Sequence, residues 1–175
     1  DRFLYLGVPP VLTGVSPMSM PTNYTTTPIT IGGTGFVGAQ VPLSGTPAAA
    51  TSSSGTAITV TLPVGLSPGP AAIVVTNIDL QTVTFNGFIV LGPAPILTGI
   101  DVPFGPEEGG RRMTLTGSAF LPGAIVTLDG VVATIQQFSA TSIVVLTPPH
   151  KEGAVTVTVT NVDLQAASLV KGYTY

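Results

Sequence analysis

Cysteine is absent from this 175-residue chain. Without it there is no disulfide framework, no thiolate nucleophile and no cysteine-based metal site, so stability outside a cell would have to come from packing alone. Tryptophan is absent too, and histidine occurs once, at His150. Charge is scarce. Asp, Glu, Lys and Arg make up 7% of the residues, with a net charge of −3, against about a quarter of the residues in an ordinary domain. No basic stripe exists to neutralise phosphates, which argues against a nucleic-acid partner. Mean hydropathy is high at +0.57, yet no apolar run approaches the ~20 residues of a membrane helix. Membrane insertion by this segment is therefore not expected. The chain opens on Asp1 with no leader-like stretch, so we expect a mature or excised fragment.

What is present is strand composition: Val, Ile and Ala interleaved with Thr and Ser. The second signal is repetition. Thr76-Asn77-Ile78-Asp79-Leu80-Gln81 returns as Thr160-Asn161-Val162-Asp163-Leu164-Gln165. Val11-Leu12-Thr13-Gly14-Val15 returns as Ile96-Leu97-Thr98-Gly99-Ile100, and Gly87-Phe88 as Gly172-Tyr173. Each six-residue copy stands between alternating segments, which predicts the turn of a β-hairpin, with Asn setting the turn and Asp capping backbone amides. The periodicity predicts strands at 11–15, 28–33, 39–43, 57–62, 71–77 and 82–91 in the first copy. It predicts strands at 96–100, 111–117, 124–128, 131–136, 142–147, 154–161 and 167–175 in the second. The Thr- and Ser-rich stretches 22–27 and 51–56 read as exposed loops. No helical period occurs, so we expect an all-β chain of two antiparallel sandwiches.

We place the first repeat at residues 9–92 and the second at 93–175, with Gly92-Pro93-Ala94-Pro95 as a semi-rigid joint and limited bending between repeats. Phe3-Leu4-Tyr5-Leu6-Gly7 matches Phe88-Ile89-Val90-Leu91-Gly92. Residues 1–8 therefore read as the terminal strand of an upstream repeat, or as a strand donated to another molecule.

Taken together, these elements resemble the IPT/TIG family of immunoglobulin-like domains. The resemblance rests on Pro10-Val11-Leu12-Thr13-Gly14-Val15-Ser16-Pro17, Gly33-Thr34-Gly35-Phe36 and the Thr-Asn-x-Asp-x-Gln hairpin, with Pro95–Ile100, Thr116–Phe120 and Tyr173-Thr174-Tyr175 in the second copy. Where the family usually has glycine after the hairpin Asp, this chain has Leu80 and Leu164, so the turn geometry is expected to differ. The resemblance implies non-catalytic modules of the kind found in cell-surface receptors, bacterial adhesion proteins, polysaccharide-active enzymes and some transcription factors.

Candidate chemistry is sparse. Gly33-Thr34-Gly35-Phe36-Val37-Gly38 fits a dinucleotide fingerprint, but Pro42, Gly45 and Pro47 follow where a helix would have to start. We read it as a structural turn, with Phe36 and Phe120 as core anchors. A lone histidine gives a zinc site or a triad little to build on, so His150 is expected to be a solvated loop residue. Asp79 and Asp163 each stand beside one Asn and one Gln, too few oxygens for calcium without further ligands. Asn23-Tyr24-Thr25 is a glycosylation sequon. The loops carrying Glu107, Glu108, Arg111, Arg112, His150 and Lys151 are the expected binding loops, because recognition sits on loops of a rigid scaffold.

We therefore expect no enzyme and no cofactor, only a structural or adhesive module of an extracellular or cell-surface protein. Its expected partners are neighbouring Ig-like modules, copies of itself, a surface protein or a glycan. Two alternatives remain: a filament subunit using Phe3, Leu4, Tyr5 and Leu6 for strand addition, and an accessory domain of a polysaccharide-active enzyme.

Overall fold

The computed structural model describes residues 6–23, 28–43 and 45–175. The chain divides into two compact units, Asp1–Leu91 and Gly92–Tyr175. Among the described residues there is no helix.

Unit 1 contains β1 (Val11–Ser16), β2 (Ser19–Pro21), β3 (Pro28–Thr34), β4 (Pro42–Leu43), β5 (Thr46–Pro47), β6 (Ala49–Ser53), β7 (Ala57–Thr61), β8 (Gly69–Thr76) and β9 (Thr82–Leu91). One sheet runs β1-β3-β7-β6 and the other β2-β9-β8-β4-β5. All pairs are antiparallel except β2, which lies parallel to β9. Unit 2 contains β10 (Ile96–Ile100), β11 (Arg112–Ser118), β12 (Ile125–Leu128), β13 (Val131–Val132), β14 (Thr134–Phe138), β15 (Ser142–Leu146), β16 (Ala154–Thr160) and β17 (Ala166–Thr174). Its sheets run β10-β11-β15-β14 and β13-β12-β16-β17.

Period-2 alternation turns one side chain in two inward. Ile29, Ile31, Ile58, Val60, Ile73, Val75 and Phe88 fill unit 1, while Met113, Leu115, Ile143, Val145, Val157, Val159 and Tyr173 fill unit 2. Each such side chain contributes about 1.5–3 kcal/mol of burial, so each unit has a core of its own.

Two expectations are corrected. The single strand foreseen at 131–136 is two strands in different sheets: β13 pairs with β12 and β14 with β15, and the switch comes at buried Ala133. A continuous apolar-polar pattern cannot reveal a change of partner. The stretch 51–56, foreseen as loop, begins inside β6, which pairs with β7. Thr and Ser suit an edge strand as well as a loop.

The segment after β3, and after β11, is fixed by one glycine and one phenylalanine. Phe36 and Phe120 are buried. A Cβ on Gly33 would collide with the Val11 carbonyl and the Phe36 ring; one on Gly117 would collide with the Ile96 carbonyl and the Phe120 ring. Glycine lets the aromatic ring lie directly over the strand. The fingerprint-like glycines thus form a turn, and no helix follows them.

Candidate functional site

Among the described residues, the two six-residue turns gather a dense set of side-chain hydrogen bonds. In unit 1 the turn joins β8 to β9 and is closed by Asn77 N–H to Gln81 O at 2.9 Å and Leu80 N–H to Asn77 O at 2.9 Å. Leu80 has φ of 68°, and Leu164 in the second copy also has 68°. Leucine thus takes, in both copies, the left-handed conformation that glycine favours. Both leucine side chains stand in solvent, 74% and 70% exposed.

Asn77 and Asn161, each 2% exposed, do more than set their own turns. Asn77 Oδ1 accepts the Val37 N–H at 3.1 Å and its Nδ2 donates to Gly35 O at 2.7 Å. Asn161 makes the same pair of bonds with Leu121 N–H, 3.0 Å, and Ala119 O, 2.8 Å. Each asparagine staples its turn to the loop after β3 or β11, about 40 residues away in sequence. Burial of a carboxamide is offset because both ends are satisfied.

The aspartate and glutamine face the other way. Asp79 Oδ1 accepts Gln81 N–H at 3.2 Å, and Oδ2 accepts Gln81 Nε2–H at 2.7 Å and Gly7 N–H at 2.8 Å. Gln81 Nε2 also donates to Gly7 O at 3.0 Å. In unit 2, Asp163 Oδ2 accepts Gly92 N–H at 2.8 Å while Gln165 Nε2 donates to Gly92 O at 2.8 Å and to Asp163 Oδ2 at 2.8 Å. A carboxylate that only accepts and a carboxamide that donates thereby hold both polar groups of one glycine. The Gln81 carboxamide, followed by the Gly7 amide, holds the Asp79 carboxyl below its ordinary value. With both Asp79 oxygens facing N–H donors, this group is a hydrogen-bond hub. Among the described residues no three His, Cys, Asp or Glu side chains gather as a metal-ligand set.

The loops before β11 and before β16 meet at one end of unit 2. Glu107, Glu108, Pro149, His150 and Lys151 line an open depression of about 400 Å³. The His150 N–H donates to Glu107 O at 2.9 Å, and the Glu152 N–H to Glu107 Oε1 at 3.2 Å. The Arg111 backbone is paired with Thr147, and Arg112 Nη2 lies 3.5 Å from Gln137 Oε1 on β14. Four of the six expected loop residues, Glu107, Glu108, His150 and Lys151, therefore line this depression, and Arg111 and Arg112 are not among its lining residues. His150 is also more ordered than a solvated loop residue. It is half-buried, its Nδ1 lies 2.9 Å from the Lys151 carbonyl, and its ring stacks on Tyr175 at 5.2 Å. A carbonyl can only accept, so Nδ1 carries the proton.

Sequence reasoning missed what lies beneath. The Tyr175 hydroxyl donates to Pro148 O at 2.6 Å, and burial followed by the neighbouring Tyr173 pushes its pKa up to about 12. Tyr173 meets Tyr175 edge-on at 4.9 Å, and its buried hydroxyl has no hydrogen-bond partner. Phe104, 65% exposed, belongs to the same loop as Glu107. The alternation Tyr173-x-Tyr175 was the available signal for the first two. Elsewhere, Asn23 is exposed in a turn after β2, Leu6 is exposed outside any strand, and Phe3, Leu4 and Tyr5 lie outside the described residues.

Two facing sheets with β1-β3-β7-β6 order, repeated as β10-β11-β15-β14, make each unit an immunoglobulin-like β-sandwich. The chain belongs to the IPT/TIG domain family, which matches it twice, over residues 10–88 and 95–175.

Among solved structures it is similar to the surface glycan-binding protein PbSGBP-B of Prevotella bryantii, at 13% identity and a TM-score of 0.58, over 93% of this chain and 42% of that one. It is similar to the extracellular region of plexin A4, at 16% identity and a TM-score of 0.44, over 95% of this chain and 18% of that one. It is also similar to the gamma-CGTase of the alkalophilic Bacillus clarkii, at 20% identity and a TM-score of 0.41, over 91% of this chain and 24% of that one. Such identities speak to the fold alone. No curated protein sequence matches the chain. Among the described residues no helix is long and apolar enough to cross a membrane.

Proposed function

We propose that this chain is a non-catalytic structural or adhesive pair of Ig-like modules from an extracellular or cell-surface protein. The observation that supports this reading is where the buried polar side chains are spent. Asn77, Asn161, Asp163 and Thr147 all bond to backbone of their own unit, which leaves them to hold the sandwich rather than to act on a substrate. Repeats at 9–92 and 93–175, preceded by the end of a further repeat at 1–8, fit this reading, because Asp79 and Gln81 hold Gly7 as Asp163 and Gln165 hold Gly92.

Electron microscopy and intact mass of the protein from its native source test it. Single particles whose mass exceeds this chain by further repeats support a spacer in a larger surface protein. Long fibres with a two-module repeat would replace it with a polymer.

A second reading has one observation in its favour. Exposed Phe104 shares a loop with Glu107 and Glu108 at the end of unit 2 that also carries His150 and Lys151. An aromatic face beside carboxylates suits a glycan or a surface protein. Titration with soluble oligosaccharides, followed by amide shifts, would place the perturbed residues there or show none.

A further inference from the structure

Strand β9 carries two inward side chains that a strict period of two does not allow. Phe85 packs against the core of unit 1 and Phe88 lies inside it, an odd spacing where alternation permits only even ones. The register supplies the extra residue. Ile73 pairs with Phe85 and Ala71 with Phe88, so Asn86 and Gly87 together face Ala72 alone. That is a β-bulge. Glycine is required at its second position, because a Cβ there would stand 2.8 Å from the Phe85 ring. Both bulge residues are exposed, and among the described residues β2 pairs with β9 only from Ile89 onward. The fold thus sets an asparagine directly before a glycine, at the surface, where the ladder is interrupted.

We infer that Asn86-Gly87 is a site of spontaneous covalent modification, at which the asparagine deamidates through a cyclic imide. The Gly87 amide nitrogen gives its proton to hydroxide and attacks Asn86 Cγ. The new N–Cγ bond closes a succinimide ring, the Cγ–Nδ2 bond breaks, and Nδ2 leaves as ammonia with a proton from water. Water then opens the ring at either carbonyl and leaves aspartate or isoaspartate; nothing is oxidised or reduced. Glycine favours the attack because no side chain shields its nitrogen. The bulge favours it because the regular ladder, which would hold Cγ and the next nitrogen apart, is broken there. The other asparagines differ. Asn77 and Asn161 are buried with both ends of the carboxamide bonded, and exposed Asn23 precedes Tyr24. Unit 2 has Val170-Lys171-Gly172 between Leu169 and Tyr173, so unit 1 alone carries the reactive pair. Either product adds one negative charge to a chain whose net charge is −3. Isoaspartate also lengthens the backbone between Phe85 and Phe88, which disturbs side chains packed in unit 1. The inference goes beyond the tandem-module reading and does not depend on it.

The test ages the full chain under native conditions across a series of pH values and maps its peptides by mass spectrometry. The peptide spanning β9 is expected to gain the mass difference between NH2 and OH, as a mixture of aspartate and isoaspartate. Its rate should rise in proportion to hydroxide concentration. Asn77 and Asn161 stay intact, and Asn23 converts more slowly. Isoelectric focusing follows the same conversion as an acidic shift. Asn86→Gln changes an exposed side chain and removes both signals, since glutamine has to close a larger ring. Aged protein is also expected to lose unfolding midpoint in unit 1 and not in unit 2, read from probes in each, while aged Asn86→Gln keeps both. Conversion confined to the urea-unfolded chain would overturn the inference, because the fold would then protect the pair. So would conversion of Asn23 as fast as Asn86, or an acidic shift that persists in Asn86→Gln.

Discussion

Unit 1 and unit 2 agree residue for residue around the turn and part company at the other end of the sandwich. Asn77 and Asn161, Gly33 and Gly117, Phe36 and Phe120 make equivalent contacts. At the far end, unit 1 adds a three-residue strand, β2, along β9, where unit 2 has only the single bridge of Phe104 to Thr174. Phe88 and Val90 in unit 1 are matched by Tyr173 and Tyr175 in unit 2, which bring two hydroxyls and a stacked histidine. One left-handed position is Gly35 in the first copy and Ala119 in the second. The shared contacts mark what the sandwich demands, since two diverged sequences on one scaffold have both kept them. The differing ones mark where it tolerates change, and unit 2 has used that latitude to build polar loops.

The comparison is broken most severely at the ring-over-glycine contact. Gly117→Ala forces a methyl into the Ile96 backbone and the Phe120 ring. It is expected to cost unit 2 about 3 kcal/mol or more, and Gly33→Ala is expected to do the same to unit 1. Gly99→Ala, where an added methyl meets nothing within 4 Å, should stay within about 0.5 kcal/mol. Denaturant unfolding read from probes in each unit measures all three; equal effects at Gly99 and Gly117 would remove the steric account.

Next in size are the staples. Asn77→Ala and Asn161→Ala each strand one amide and one carbonyl in the loop after β3 or β11, at an expected cost of about 2–3 kcal/mol. The same unfolding experiment should find the two losses alike. A loss in one unit alone would show that the equivalence is geometric and not energetic.

The tyrosine swap is smaller and runs in opposite directions. Tyr173→Phe removes a buried hydroxyl without a partner and is expected to raise the stability of unit 2 by about 1 kcal/mol. Phe88→Tyr introduces one into unit 1 and should lower its stability by about 1–3 kcal/mol. Thermal unfolding of the two variants checks the signs.

The last prediction is silent at neutral pH. Tyr175 ionises at about 12 in the folded unit against an ordinary 10.0, so the folded state holds its proton more tightly than the unfolded chain does. Its stabilising contribution is complete below pH 10 and is lost as pH rises from 10 towards 12. Phenolate absorbance followed against pH should show this late ionisation, and Tyr175→Phe should remove it and make unit 2 less sensitive to alkali.

The sequence by itself determined the fold class, the doubling and most strand faces. Those signals are local: a period of two sets Val155, Val157 and Val159 on one face and Thr156, Thr158 and Thr160 on the other, and Thr-Asn-x-Asp-Leu-Gln marks the turn twice. Only the tertiary structure decided what the polar residues hold. Asn77 reaches Val37, Asp79 reaches Gly7, Tyr175 lies under His150, and the stretch 131–136 divides between two sheets. Apart from that split, these pairings join residues 25 to 72 positions apart. They exist because the sandwich folds particular loops onto one another, and a side chain's hydrogen-bonding capacity does not name its partner. The leucines at 80 and 164 show both levels at once: their identity argues against a left-handed turn, and the bonds around them impose it.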